Sequence, residues 1–425
     1  MRDIDSRSRF DFSLLFTALL LWAIGLALVY SATFFHETGP FAGMAKSQAV
    51  WIAMGILIII IVVSIPARLY YMLSYVMYAG SLALLLAVLV AGHGAKGAER
   101  WFALGPVKIQ PSEFAKIGLM FALARYLSKH QISLHRLSSF IVPAMLILVP
   151  FALVIQQPDL GTAMVFCAMS LPMFFWAGMP LIEIFFLVSP VLSIVLSAIP
   201  LILAFGKEAS MGALGAVPWG IFFLLLCALL YVFRQPLLIM IGIIIANITT
   251  ATMTTVIWNS FLKDYQKMRV ISFIDPQMDP FGAGYQVIQS KVAIGSGHIF
   301  GKGYLQGSQT RLSYLPEQHT DFIFSVLGEQ FGLFGCAIVL LLFLFLVTRG
   351  FLSMQHIRNR FINLVITGAV SILAFHIFLN TAMTLGMMPV TGVPLPFLSY
   401  GGSFTLTVSI FIGLLLNAQV SSQEF

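Results

Sequence analysis

Apolar runs of about 20 residues recur from one end of this chain to the other, and that pattern constrains its fold more than any motif. A run of that length crosses a bilayer as an α-helix, which satisfies its backbone N–H and C=O groups internally. Charged residues make up 9% and hydrophobic residues 59% of the 425, against about 25% charged in soluble domains. A soluble enzyme is excluded. The expected fold is all-α, a polytopic membrane helical bundle of about twelve transmembrane helices. The spans lie near 12–31, 48–65, 70–92, 113–128, 138–156, 161–178, 181–205, 218–233, 236–258, 321–348, 361–386 and 402–419. Membrane helices bury against one another and against lipid, so residues 1–425 read as one bundle. The first run follows Arg7 and Arg9 as in a signal peptide, but its length and the spans after it make it an uncleaved anchor.

Lys and Arg placement sets the orientation. With the amino terminus in the cytoplasm, the inner loops hold Arg2, Arg7, Arg9, Arg68, Arg125, Lys129, Arg136, Arg234, Arg349, Arg358 and Arg360, and the short outer loops only Lys46, Lys96, Arg100, Lys108 and Lys207. Both termini are then cytoplasmic. The net charge of +7 has this topological explanation and gives no support to nucleic-acid binding. Cys167, Cys227 and Cys336 fall inside apolar spans, where a thiol behaves as a small hydrophobe, and indicate neither a disulfide framework nor a Cys-based metal site.

The longest polar stretch, 259–320, is a glycine-rich extracytoplasmic loop that opens onto Asp321. Within it Asp275-Pro276 and Asp279-Pro280 read as turns, and Phe281–Gln286 opens a short amphipathic segment carrying Gln289 and Lys291. Gly295–Gly303 is no dinucleotide fingerprint, because Phe300 stands where a third glycine is needed, and Gly301-Lys302-Gly303 lacks the Ser or Thr of a phosphate loop. Taken alone, the stretch reads equally as a flexible external loop.

Three further polar clusters fall on the same outer side. They are Gly94–Trp101 with Leu104-Gly105, Gln110-Pro111-Ser112-Glu113 and Lys116; Gln156–Thr162; and Pro389–Pro396 with Ser399–Ser403. Packing polars would scatter over both faces, so a one-sided set points to a shared outer site. Thr320 is a plausible N-cap, placing Asp321 on the first turn of an apolar helix. A carboxylate there either complements the helix dipole or does chemistry at the water boundary. Burial raises its proton affinity and the helix terminus lowers it. Glu113 and Lys116, one turn apart on one face, suit an ion pair inside the bundle, structural or functional. Asp159 follows Pro158 at a helix start, where capping explains it as well as catalysis does, and His319 either packs or orients its turn.

Gln110–Glu113 (QPSE), Gln157–Thr162 (QPDLGT), Gly282–Gln286 (GAGYQ), Ala293–Gly297 (AIGSG), Leu315–Phe324 (LPEQHTDFIF) and Gly392–Ser403 (GVPLPFLSYGGS) resemble, in order and over nearly the whole chain, the shape, elongation, division and sporulation (SEDS) family of bacterial membrane proteins. Within it, Gly301–Gln309 is more similar to the rod-shape branch than to the division branch.

The resemblance implies a bacterial inner-membrane peptidoglycan glycosyltransferase acting in cell elongation. It polymerises lipid II, the undecaprenyl-diphosphate-linked disaccharide pentapeptide, into β-1,4 glycan strands, with a class B penicillin-binding protein transpeptidase as partner and other elongation-complex membrane proteins around it. Asp321 matches the family's essential acid and is expected to be the general base of an inverting displacement. A departing diphosphate calls for cations. Arg100 and Lys302 are the preferred contacts, with Lys108, Lys116, Glu113, His319 and Asp159 as further substrate-binding candidates. Lys96, Arg100 and Lys108 outnumber Glu99 in the first outer loop, and Lys263, Lys267, Arg269, Lys291, Lys302 and Arg311 outnumber Asp264, Asp275, Asp279 and Glu317 in the second. A divalent cation bridging diphosphate and carboxylate is compatible with this chemistry, although no ligand cluster with metal spacing is visible.

The family's common pattern of about ten spans leaves 206–258 as an inserted helical pair. Two alternatives stand beside the enzyme: a lipid II flippase, which needs polar residues spread through the bilayer depth, and a non-catalytic scaffold for the transpeptidase, in which Asp321 is replaceable.

Overall fold

The helices form where the apolar runs predict them, and some of their ends are fixed by polar side chains. The computed structural model describes residues 11–36, 43–91, 100–104, 107–130, 137–203, 217–262, 264–282, 284–312 and 314–420. Lys96, Glu99, Lys207, Lys263, Arg2, Arg7, Arg9 and Arg136 lie outside the described residues, as does the start of the 206–258 segment. The order is α1 (Phe12–Thr33), α2 (Met44–Ser64), α3 (Ala67–Ala91), β1 (Phe102–Leu104), β2 (Val107–Ile109), α4 (Pro111–Lys129), α5 (Leu137–Gln156), α6 (Leu160–Trp176), α7 (Leu181–Leu203), α8 (Val217–Val232), α9 (Leu237–Val256), α10 (Asp264–Ile274), α11 (Tyr285–Ser296), α12 (Ser308–Arg311), α13 (Ile323–Ser353), α14 (Arg360–Thr384) and α15 (Gly402–Val420).

Every predicted span falls on a helix, with ends shifted by a few residues. Nine helices among the described residues are long and apolar enough to cross a membrane. The apolar helices α6 and α8 are shorter, and α4 carries Glu113, Lys116, Arg125 and Lys129.

The chain divides into two units. The smaller comprises residues 131–142 and 177–285. Here α7, α8 and α9 are joined by a buried polar knot. Asn247 donates to Ser189 Oγ (2.9 Å) and accepts from Ser193 Oγ (2.7 Å), which in turn accepts from Trp219 Nε1 (3.2 Å). In hydrocarbon such bonds hold helices together where apolar contact alone gives little preference.

The larger unit comprises residues 1–130, 143–176 and 286–425. Its central helices are α14 and α15, 72% and 78% buried over their apolar windows, against 22% for α2 and 28% for α3. Asn417 of α15 donates to the carbonyls of Val62, Val63 and Ile65 (3.2, 2.9 and 2.7 Å), satisfying the end of α2. At the start of α1 Asp11 accepts from the N–H groups of Ser13 and Leu14 and from Arg349 Nε of α13 (3.0 Å). The strands β1 and β2 form an antiparallel hairpin pairing Phe102 with Ile109.

The glycine-rich stretch is not a loose external loop. α13 is broken at Gly332 (φ 64°, ψ −162°), and the segment 298–303 fills the break. Lys302 and Gly303 N–H donate to the Glu329 and Gln330 carbonyls (3.0 Å each), while Leu333 and Phe334 N–H donate to His298 and Ile299 (2.9 and 3.0 Å). A Cβ at Gly301 would overlap the Gln330 carbonyl, and Gly301 has φ +80°. Glycine is required there by close approach as well as by backbone angle. The sequence was silent on this because the partner of the strap is an apolar helix.

Candidate active site

Asp321 lies in a turn whose backbone is tied on several sides. Asn380 Nδ2 of α14 donates to the Asp321 carbonyl and to the Val393 carbonyl (2.8 Å each). Ser399 Oγ donates to the Thr320 carbonyl (2.6 Å), and Tyr400 N–H to that of His319 (2.9 Å). Gln318 Nε2 donates to Ala32 of α1 (3.0 Å) and to Thr310 (3.2 Å). The expected N-cap at Thr320 is not formed. Its hydroxyl bonds to Glu317 instead, the helix begins at Ile323 with Phe322 at the cap, and Asp321 precedes the first turn. Carbonyls 319–321 are spent on α14 and the 395–400 loop, which holds the turn in a non-helical path.

The Asp321 carboxylate is partly buried and, among the described residues, accepts no side-chain hydrogen bond. Desolvation first, and then the charges of Glu317 and Asp159, push its pKa from 3.8 up to about 7. Gly392 (φ +70°) brings the 389–400 loop beside it: a Cβ there would lie 3.5 Å from Asp321 Oδ2. On the loop's other side, Gly161 at the start of α6 abuts Val393 and Thr391.

Asp159 caps α6, accepting from Thr162 N–H (3.1 Å) and Thr162 Oγ1 (3.0 Å), and also from Gln110 Nε2 (3.3 Å). Arg100 donates from Nε to the Gln157 carbonyl (2.8 Å) and from a terminal nitrogen to that of Pro158. Lys108 is exposed, and its carbonyl accepts from Ser403 Oγ (3.0 Å), which also accepts from Gln110 N–H (3.2 Å). The four polar clusters of the sequence thus meet: QPSE and Arg100 on QPDLGT, QPDLGT on the 389–396 loop, and that loop on Asp321.

The Glu113–Lys116 pair is present at 2.8 Å, fully buried. Lys116 Nζ also lies 3.2 Å from His376 Nε2 of α14. An ammonium only donates, so Nε2 accepts, and the proton of the neutral ring sits on Nδ1, which donates to the Pro394 carbonyl (3.2 Å). Lys116 therefore supports the 389–400 loop through His376. Among the described residues Glu113 Oε2 is buried without a partner.

Lys302 is engaged by Glu329 Oε1 (3.0 Å) and Ser308 Oγ (2.7 Å). Glu329 is fully buried and also accepts from Gln309 N–H (2.8 Å), Thr310 N–H (3.0 Å) and Thr310 Oγ1 (2.7 Å). His319 is buried against Tyr400, and desolvation outweighs the nearby Glu317 carboxylate to lower its pKa. Sequence reasoning missed His376, Asn380 and Glu329. His376, Asn380 and Thr384 recur every four residues on α14, a polar stripe in an apolar helix that signals an inward-facing site. Among the described residues no three His, Cys, Asp or Glu side chains are grouped to hold a metal ion.

Residues 12–211 and 213–424 match the FTSW_RODA_SPOVE family, described as cell cycle protein. The chain is 35% identical over 430 residues to the peptidoglycan glycosyltransferase RodA of Treponema pallidum, covering 96% of this chain and 97% of that one. It is 34% identical over 391 residues to the peptidoglycan glycosyltransferase MrdB of Escherichia coli K12, covering 92% and 90%. Its fold matches a chain from a peptidoglycan synthase complex solved for the coordination of polymerization and crosslinking, with a TM-score of 0.69, 28% identity and coverage of 98% and 99%. It also matches the rod shape determining protein RodA of Thermus thermophilus, with a TM-score of 0.60, 26% identity and coverage of 96% of each chain. With matches of this length and the apolar helices described above, the chain belongs to the FtsW/RodA/SpoVE family of cell cycle proteins as a multi-pass membrane protein.

Proposed function

We propose that this chain polymerises lipid II into β-1,4 glycan strands during cell elongation, with Asp321 as the general base. It is a peptidoglycan glycosyltransferase, the activity for which its RodA and MrdB relatives are named. The observation that carries the assignment of Asp321 is its place where the four polar clusters converge, with its carboxylate uncommitted and its pKa near 7. A base works best when its pKa lies near the working pH. The acceptor hydroxyl oxygen attacks the anomeric carbon of the donor sugar, Asp321 takes the hydroxyl proton, and the carbon–oxygen bond to the lipid diphosphate breaks, the diphosphate leaving with the electron pair. One displacement turns an α-linked donor into a β-linked product.

Arg100 spends two of its five N–H donors on the 157–158 carbonyls, and Lys108 is exposed. These are the cations assigned to the diphosphate. Lys302, held by Glu329, is assigned to the strap that fills α13. Glu113, Lys116, Asp159 and His319 position the turn and the loop around Asp321.

The proposed orientation places Asp321 on the outer face and both termini in the cytoplasm, supported by the gathering of Arg68, Arg125, Lys129 and Arg360 at the opposite ends of α3, α4 and α14. A class B penicillin-binding protein is the proposed partner, supported by the likeness to a synthase complex that couples polymerization to crosslinking. The test is labelled lipid II with purified protein, with and without that partner. Wild type is expected to yield glycan polymer and Asp321→Asn less than about 1% of it, in the range of general-base losses. Polymer at normal yield from the variant would remove Asp321 as base and favour the scaffold reading.

A further inference from the structure

At the end of the larger unit away from Asp321, the starts of α3 and α14 and the last turn of α4 surround a cavity of about 510 Å³, lined by Arg68, Tyr71, Ser128, Asn359, Arg360 and Phe361. Arg360 and Asn380, which reaches the Asp321 carbonyl, are 20 residues apart on one helix. That is roughly 30 Å along its axis, about the thickness of the hydrocarbon core. The cavity therefore opens at the second membrane boundary.

Among the described residues its charge is one-sided. Arg68 and Arg360 line it and are exposed. Arg125 and Lys129 stack over its Tyr71 wall at 4.8 and 5.6 Å, and Arg358 precedes the start of α14. No Asp or Glu occurs among the described residues of α3 or α14, and the one acid of α4, Glu113, sits at its opposite end paired with Lys116. The floor is aromatic: Tyr71 meets Phe361 edge-on at 5.2 Å, and Phe361 stacks on Phe121 at 6.4 Å. Topology alone explains basic residues on this side. It does not explain a concave site between three helix ends with cations at the rim and an apolar floor, a form that suits a phosphate head carrying acyl chains.

We propose that this cavity binds an anionic phospholipid of the facing leaflet, its phosphate between Arg68 and Arg360 and its acyl chains along the aromatic wall. The assignment to the inner leaflet rests on the orientation proposed above; the binding does not.

The test uses full-length protein in phosphatidylcholine nanodiscs containing a photo-crosslinkable phosphatidylglycerol, with the crosslinked peptides mapped. Crosslinks are expected on α3, α4 and α14 around the cavity. They should fall about thirtyfold in Arg68→Gln/Arg360→Gln, since each basic residue near an anionic surface contributes about 1 kcal/mol, and stay unchanged in Arg234→Gln, a basic residue of the α8–α9 turn. The single Arg68→Gln variant, at an exposed position, gives the same reading at lower amplitude should the double variant fold poorly. Equal crosslinking in wild type and both cavity variants would overturn the proposal. So would displacement of the lipid by millimolar inorganic phosphate or by a glutamate-rich peptide, which would assign the cavity to a free anion or a protein segment. Glycan polymerisation is measured separately, so failure here leaves the role of Asp321 untouched.

Discussion

At the scale of single residues, the buried charges around Asp321 are paired, as Glu113 is with Lys116 and Glu329 with Lys302. Removing one partner of a buried ion pair typically costs 3–5 kcal/mol, because the other charge is left desolvated. Lys116→Met should therefore destabilise the protein by about 3–5 kcal/mol, while Glu113→Gln/Lys116→Met recovers most of the loss. A double-mutant cycle on thermal unfolding checks the coupling. The pair itself was legible from its one-turn spacing. Its third member was not, since His376 stands in an apolar run of α14 and is joined to Lys116 only by the packing of α4 against α14. Asp321 carries a second prediction. Its folded pKa lies above the ordinary 3.8, so the folded state holds its proton more tightly than the unfolded chain, and stability is lost as pH rises through about 7. The loss begins near the unfolded value of 3.8 and is complete above about 7, so Asp321→Asn should raise the melting temperature relative to wild type most at pH 8 and by less than half as much at pH 5, as scanning fluorimetry across pH would report.

At the scale of elements, the break in α13 and the strap inside it give Glu329 and Lys302 their places. Irregular backbone at membrane depth persists only where its polar groups find partners, and four backbone bonds between 298–303 and 329–334 meet that need. Gly301→Ala should cost about 1–3 kcal/mol through overpacking and strain. It should also lower polymer yield in the same preparation, by pulling away the 308–312 segment to which Gln318 is anchored through Thr310. A melting curve and a lipid II assay on one sample measure both; wild-type values in each would mean the strap is not rigid. The helices, the short segment at α11 and the one-sided polar clusters could be read from hydropathy, glycine and proline. The strap could not, because its hydrogen bonds join residues some 30 apart through backbone atoms that carry no side-chain signature. The start of α13 misled for a related reason: Thr320 has the chemistry of an N-cap, but tertiary bonds to Ser399, Tyr400 and Asn380 set the path of its turn.

For the whole molecule, the distribution of ionisable groups separates an enzyme from a transporter. Alternating access places polar groups through the depth of the bilayer. Glu329 lies less than two turns inside the start of α13, and His376 one turn from Asn380, so both belong to the Asp321 end. At the other end the basic residues stand at the rim of a cavity. Between these ends α14 is largely apolar, as a fixed catalytic face requires and a conduction path does not. The central claim is that Asp321, held at that face with its pKa raised by burial, Glu317 and Asp159, removes the acceptor proton. The measurement that tests it most directly is the pH dependence of kcat/KM for lipid II polymerisation, in wild type and Glu317→Gln. The rate should rise with pH through an acid limb near 7 and then level, and that limb should move to lower pH in the variant, where one neighbouring negative charge is gone. A limb in the same place in both proteins, or none between pH 5 and 8, would contradict Asp321 as the base.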